Sequence, residues 1–73
     1  MDNFTNDFMY VGWFENDDHE ILAYGHLKNS RGSYGFKCNI IKTDKATVKD
    51  LVPGEIYEVK VVGFSGNYAT YAF

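Results

Sequence analysis

The chain has one cysteine, no basic residue in its first 27 positions and no long apolar run. The single thiol, Cys38, excludes an intramolecular disulfide, and such cysteine usage is typical of a cytoplasmic protein. Neither a basic segment followed by an apolar run nor an apolar stretch of about 18 residues is present. We therefore expect no signal peptide, no membrane span and a cytoplasmic location.

The length allows one small domain. A chain of 73 residues buries only about 60% of the surface that its unfolded form exposes, so its core has to be efficient. Hydrophobic residues (45%) and aromatic residues (18%) can supply that core without a disulfide or a metal. Residues 1–7 are polar apart from Phe4 and are predicted to be a loose N-terminus, which leaves 8–73 as a single domain.

Charge is unevenly distributed along the chain, although the net charge is only −3. All the charged residues of the first 27 positions are acidic: Asp2, Asp7, Glu15, Asp17, Asp18 and Glu20. Residues 28–49 carry six basic residues and one acid. This asymmetry indicates either an ordinary solvated surface or a polarised surface that steers a charged partner.

Short runs with the two-residue alternation of half-buried strands are separated by turn signals. The predicted strands are 8–14, 20–27, 34–42, 55–64 and 68–73. In the second strand, alternation places Ile21, Ala23 and Leu27 on one face, with Tyr24 and His26 on the other. The third strand is predicted to point Phe36, Cys38 and Ile40 inward, and Lys37, Asn39 and Ile41 outward.

A short helical turn through 45–51 is predicted between the third and fourth strands, capped by Thr43 or Asp44 and ended by Pro53-Gly54. A small sheet this rich in aromatics has to protect its edges, and closure into a barrel does so. The element order therefore predicts a mainly β protein, a five-stranded OB-like barrel. An SH3-like barrel is the alternative.

Several short segments resemble the cold-shock domain, over about residues 9–72. Trp13-Phe14-Glu15-Asn16 resembles the end of that family's first strand, and Ala23-Tyr24-Gly25-His26-Leu27 resembles its first RNP-type motif. Arg31-Gly32-Ser33 lies where the family has a turn, and 36–40 where it has its second RNP-type strand. The closing pattern of Leu51, Gly54, Val59, Val61, Gly66 and Ala69 is also similar.

The resemblance implies an OB-like barrel whose exposed aromatic rings stack on bases of single-stranded RNA or DNA, each worth about 1–3 kcal/mol. Three residues depart from the family pattern, because Lys37, Asn39 and Ile40 occupy positions where the family has two aromatics and a histidine. Acidic residues also replace the basic residue that precedes the first motif. These departures indicate that the face which binds nucleic acid in the cold-shock family has a different ligand in this chain.

The sequence predicts neither an enzyme nor a metal or cofactor site. His19, His26 and Cys38 lack the close paired spacing of zinc ligands, and the acidic cluster around Asp17 lacks EF-hand spacing. No phosphate-binding glycine loop precedes a helix, and Gly63-Phe64-Ser65-Gly66 lacks the strand-to-helix context of a nucleophile elbow.

Two binding functions remain. The first is a monomeric regulator of gene expression that binds a protein of the transcription machinery, similar in kind to small phage-encoded inhibitors of host RNA polymerase. Its predicted contact residues are Trp13, Phe14, Asp17, Asp18, Glu20, Tyr24 and His26. The second is a single-stranded nucleic-acid binder that uses Trp13, Phe14, Tyr24, His26, Lys28, Arg31 and Lys37. Both require Trp13, Tyr24 and His26 to emerge together from the sheet.

Overall fold

The computed structural model describes residues 4–73, which form five strands and one short helix. The elements are β1 (Thr5–Glu15), β2 (Ile21–Leu27), β3 (Asn39–Thr43), α1 (Lys45–Val48), β4 (Ile56–Ser65) and β5 (Tyr68–Ala72). All pairings are antiparallel, in the order β3-β2-β1-β4-β5. Since β3 also lies against β5, the sheet curls into a nearly closed barrel. The predicted OB-like barrel, with its helical turn between the third and fourth strands, is confirmed.

The core fills the inside of this barrel. Its buried side chains come from the three central strands β1, β2 and β4, from β3 and from the helix: Phe8, Tyr10, Ile21, Ala23, Ile41, Val48 and Val59. Phe8 packs edge-on against Phe73 with ring centroids 5.8 Å apart, and Tyr10 packs edge-on against Tyr57 at 6.3 Å. Edge-to-face aromatic pairs add to the stabilisation that burial gives, so a short chain gains core stability from few residues.

A β-bulge interrupts β1 at Val11, between the pairs Tyr10–Gly25 and Gly12–Tyr24. One extra residue on one strand reverses which side of the sheet the following side chains face. Phe8 and Tyr10 therefore point into the barrel, whereas Phe14 beyond the bulge shares the outer face. A glycine within a strand is the usual sequence sign of such a bulge, and Gly12 is that sign here.

The boundaries differ from the sequence prediction most at the first strand, the third strand and the helix. Strand β1 begins at Thr5, so residues 5–7 of the predicted loose N-terminus belong to the sheet, where Thr5 pairs with Lys60. Residues 1–3 lie outside the described residues. The helix is shorter than predicted, because it ends at Val48 rather than at residue 51.

The predicted facing of the third strand is wrong. Ile41, placed outward by the alternation, is 1% exposed in the core, whereas Ile40 is 58% exposed. Phe36 and Cys38, predicted to point inward, are exposed and precede the strand, which begins at Asn39. The two-residue alternation fails here because residues 36–38 are not part of the strand. Pairing of Ala23 with Ile41 and of Tyr24 with Ile40 then sets the side that each isoleucine faces.

Strands β1 and β2 leave no room for a side chain at Gly25. A Cβ atom on Gly25 would lie 2.0 Å from the carbonyl oxygen of Met9 and 2.9 Å from Cζ of Phe8. The first of these is a backbone atom inside a paired strand, so it cannot move aside without breaking the ladder. Close packing of the core beneath the sheet therefore requires glycine at this position.

We predict that Gly25→Ala destabilises the fold by about 1–3 kcal/mol or more, because the methyl group would force the two strands apart. Urea unfolding followed by circular dichroism measures the change. Gly35→Ala is the matched control, since a Cβ there has its nearest neighbour at 3.9 Å and ordinary backbone geometry. Equal midpoints for the two variants would contradict this assignment.

Asp44 caps the helix, as one of the two predicted alternatives. Its backbone is extended, and its side-chain oxygen accepts a hydrogen bond from the Thr47 amide at 2.8 Å. Hydrogen bonding from the Thr47 amide holds the pKa of the Asp44 carboxyl below its usual value. The ionised carboxylate is the better acceptor, so the folded state favours the charged form.

This lowered pKa predicts an acid-sensitive contribution to stability. The contribution is complete above the unfolded-state pKa of about 3.9 and is lost as pH falls through the lower folded-state value. We expect the wild type to lose more stability than Asp44→Asn between neutral and strongly acidic pH, because asparagine caps a helix without titrating. Urea midpoints at both pH values measure the difference. Asp44→Ala, which removes the cap, should be less stable than Asp44→Asn already at neutral pH.

Candidate binding surface

The outer side of β1, β2 and β3 carries a group of exposed apolar side chains. Tyr24 is opposite Ile40 on β3, and its ring lies 6.0 Å from that of Phe14 on β1, tilted by 51°. Phe14 and Ile40 are 41% and 58% exposed. We call Phe14, Tyr24 and Ile40 the aromatic face. Large apolar side chains exposed together mark a binding surface more often than single ones do.

The Tyr24 ring lies across the sheet over Gly12. A Cβ on Gly12 would lie 2.8 Å from the Tyr24 hydroxyl oxygen, 3.0 Å from Cζ and 3.3 Å from Cε1. The three distances are similar, so the Cβ position lies above the plane of the Tyr24 ring. If it lay beyond the hydroxyl group, in line with the C–O bond, its distance to Cζ would exceed its distance to the oxygen by a full bond length. One side of the ring therefore rests on the glycine backbone, and the opposite side faces away from the sheet. Gly12 thus holds Tyr24 flat, ready for stacking or docking.

His26 connects β2 to the segment that leads into β3. Its Nδ1 lies 2.9 Å from the carbonyl oxygen of Lys37 and donates to it, because a carbonyl can only accept. The ammonium group of Lys37 is 5.6 Å from the ring centroid of Tyr68, which is 70% exposed. A cation over an aromatic ring is a favourable contact. His26 therefore lies beside the Lys37 backbone, at the opposite end of β2 from Phe14, and the Lys37 side chain reaches Tyr68.

Trp13 is not part of the aromatic face. It pairs with Ala23, a fully buried residue of the inner side, whereas Tyr24 pairs with Gly12 and Phe14 with Leu22. Directly paired residues of an antiparallel ladder point to the same side of the sheet. Trp13 is 43% exposed, but the register places it on the other side of the sheet from Tyr24, so the expectation that Trp13, Tyr24 and His26 emerge together is wrong for Trp13. The reason is the bulge at Val11, which exchanges the roles of Trp13 and Phe14.

The hairpin between β1 and β2 ends in an acidic loop, residues 16–20, that is organised by Asn16. The Asn16 side-chain oxygen accepts hydrogen bonds from the amides of Asp18 (3.0 Å) and Glu20 (2.8 Å). The His19 amide bonds to the Asn16 carbonyl at 3.0 Å, and His19 has a positive φ of 63°. These bonds fix the loop with Asp17 and Asp18 exposed at its tip. We call residues 16–20 the acidic tip.

Glu20 faces a different environment from the two aspartates. It forms an ion pair with Lys42 of β3 and accepts a hydrogen bond from the Asn16 amide group at 2.9 Å. The hydrogen bond from Lys42, with that from Asn16, holds the pKa of the Glu20 carboxyl below its usual value, and the same pair raises the pKa of Lys42. Lys42 is thereby engaged with Glu20, which leaves Asp17 and Asp18 as the forward charges of the tip.

The loop after β2 is built in the same way as the acidic tip. The Asn29 side-chain oxygen accepts from the amides of Arg31 (2.9 Å) and Ser33 (3.0 Å), and the Gly32 amide bonds to the Asn29 carbonyl. Gly32 has the positive φ that His19 has in the first loop. Arg31 therefore occupies the place that Asp18 occupies in the acidic tip. Two loops of one geometry carry opposite charge at the two ends of β2.

The basic residues predicted for phosphate contact all lie at this second end. Lys28 pairs with Asp7 at 3.7 Å, while Arg31 and Lys37 are exposed. Phe36, beside Lys37, is fully exposed. We call Lys28, Arg31, Phe36, Lys37 and Tyr68 the basic end.

Sequence reasoning missed several residues of the surface. Ile40 is exposed although strand alternation predicts it in the core, and Tyr68 becomes a neighbour of Lys37 only through the fold. Gly12, Asn16 and Asn29 did carry signals. A glycine inside a strand suggests a close approach, and asparagine before a turn suggests a side chain that bonds to backbone amides.

The described residues show neither a metal cluster nor a spanning helix. Within residues 4–73, no group of three or more His, Cys, Asp or Glu side chains could hold a metal ion. Over the same range, no helix has the length and apolarity needed to cross a membrane.

Comparison of the chain with protein families, with curated proteins and with solved structures finds no match. The resemblance to the cold-shock domain and the likeness in kind to phage inhibitors therefore stay predictions from the sequence.

We predict that Gly12→Ala displaces Tyr24 while leaving the barrel folded. The added methyl group meets the outer end of a side chain that can rotate away, so the cost in stability should be about 1 kcal/mol or less. NMR measures the effect as altered ring shifts of Tyr24 and Phe14, with the amide shifts of β4 and β5 unchanged. Gly35→Ala is again the control. Unchanged Tyr24 shifts would contradict the ring position described above.

Proposed function

We propose that this chain is a cytoplasmic binding protein without enzymatic activity, and that it regulates gene expression by docking as a monomer on a protein of the transcription machinery. The observation that supports a protein partner is the adjacency of the aromatic face to the acidic tip. Phe14 is followed directly by Glu15 in the sequence. The paired strands that carry Phe14 and Tyr24 are joined by the loop that contains Asp17 and Asp18. Exposed rings beside carboxylates suit a basic protein surface.

The choice of RNA polymerase as the partner to test comes from the likeness in kind to small phage-encoded inhibitors. A basic surface on that enzyme, shaped for nucleic acid, would attract Asp17 and Asp18 and offer apolar contact to Phe14 and Tyr24. Occupation of such a surface would exclude the nucleic acid that normally lies there. In this proposal the acidic tip governs the rate of association, and the aromatic face supplies most of the affinity.

Single-stranded nucleic acid is the second candidate ligand, and the position of Tyr24 favours it. A ring that lies flat on the sheet with one side free is suited to stacking on a base. Arg31 and Lys37 could contact phosphates at the basic end. A strand that continued along β2 past Tyr24 would, however, meet the carboxylates of the acidic tip. This charge distribution is why we place the protein partner first.

The two candidates are separated by parallel titrations with purified bacterial RNA polymerase and with fluorescein-labelled oligo-dT. We expect polymerase binding that Tyr24→Ala weakens about tenfold or more, as for a residue at the centre of an interface. Reversing the charge of the acidic tip by Asp17→Lys with Asp18→Lys should slow association and reduce the salt dependence of the association rate. Asp50→Lys, an exposed acid near the end of α1, is the matched control and should bind as the wild type.

Absence of polymerase binding by the well-folded wild type would overturn the named partner. Oligo-dT binding with a steep salt dependence, lost in Tyr24→Ala and enhanced by the tip reversal, would overturn the protein proposal in favour of nucleic acid.

A further inference from the structure

The two ends of β2 carry charges of opposite sign that cannot meet within one molecule. The acidic tip precedes Ile21, and the basic end follows Leu27. Seven extended residues separate the two loops by about 20 Å, which is more than twice the Debye length of about 8 Å at physiological ionic strength. Each end therefore presents its charge to the surroundings without compensation from the other.

The aromatic face lies between these two ends, on the outer side of the same strands. Tyr24 is at the middle of β2, with Phe14 toward the acidic tip and His26 toward the basic end. Read along β2, the surface is thus acidic, apolar and basic. Such a surface is complementary to itself when a second copy is turned end over end.

We propose that a second copy of this chain docks antiparallel on the outer face of β1, β2 and β3, about a two-fold axis near Tyr24. The acidic tip of each copy then lies on the basic end of the other, and the two aromatic faces cover each other. A two-fold contact satisfies both charged ends at once, since residue i of one copy meets residue j of its partner and the reverse. Asp18 and Arg31 hold the same position in the two loops, each two residues after the asparagine whose side chain accepts its amide hydrogen bond.

The dimer is weak because the surface is small. Three strands about 4.8 Å apart and about 20 Å long cover roughly 300 Å² on each copy, whereas a stable interface buries about 800 Å² on each. Exposed ion pairs also contribute little each. The chain is therefore a monomer when dilute and pairs at high concentration.

Pairing would regulate the surface assigned above to partner binding, so that part of the inference rests on the proposed function. The dimer itself does not, because it requires only the self-complementary face. In the dimer, Tyr24, Asp17 and Asp18 are covered, and a partner protein competes with the second copy for them. Dimers would then dissociate into binding-competent monomers as the protein concentration falls.

The test uses two charge-reversed variants in sedimentation equilibrium at low salt. One carries Asp17→Lys with Asp18→Lys, and the other carries Arg31→Glu with Lys37→Glu. We expect the wild type to reach dimer mass at about millimolar concentration and to dissociate at about 0.5 M salt, where charges more than about 4 Å apart are screened. Each variant alone should stay monomeric, because its two ends have the same sign.

An equimolar mixture of the two variants should restore the dimer, since the ends of one are basic and those of the other acidic. This outcome cannot arise from misfolding, which mixing would not repair. Asp50→Lys is the control and should dimerise as the wild type does. Wild type that stays monomeric at millimolar concentration and low salt overturns the proposal, and mass that rises beyond the dimer overturns its two-fold geometry. Neither result bears on polymerase binding by the dilute monomer.

Discussion

The extra residue at Val11 is the constraint on which the binding surface depends. Before it, β1 sends Phe8 and Tyr10 into the barrel, and beyond it Phe14 reaches the outer side. Without the bulge, regular alternation would direct Phe14 inward and Trp13 outward. This single extra residue thus determines that Phe14, and not Trp13, lies beside Tyr24. It also places Gly12 beneath the Tyr24 ring, where a side chain would not fit.

Glycine has two distinct uses in this small barrel. At Gly25 the absence of a side chain allows β1 and β2 to approach over Phe8, which is a requirement of the core. At Gly12 it makes room on the outer side for the Tyr24 ring, which is a requirement of the surface. The two positions lie near each other in the β1–β2 ladder but differ in what an added methyl group would strike. One is a carbonyl of the backbone, and the other is a ring that can rotate.

The two asparagine-organised loops give the surface its electrostatic character. Asn16 and Asn29 bond to amides two and four residues later, so each loop is fixed by its own sequence. The charged residues they carry are then held at opposite ends of one strand. Charge polarity along the chain becomes charge polarity in space because the seven extended residues of β2 separate the two loops. Any ligand that runs along this strand encounters both signs.

The number and order of the elements, the facing of β2 and the separation of acidic from basic residues are all predictable from the amino-acid sequence. Those features follow from local alternation, turn residues and the capping side chain of Asp44. Each of these signals depends only on residues close together in the sequence. The facing of β3, the exchange of Trp13 for Phe14 and the contact of Lys37 with Tyr68 depend instead on how the strands pair in the barrel. Adjacent isoleucines at 40 and 41 satisfy either facing, so the pairing with β2 has to choose between them. Register and bulges depend on which strands pair, and pairing is a property of the closed barrel rather than of any one segment.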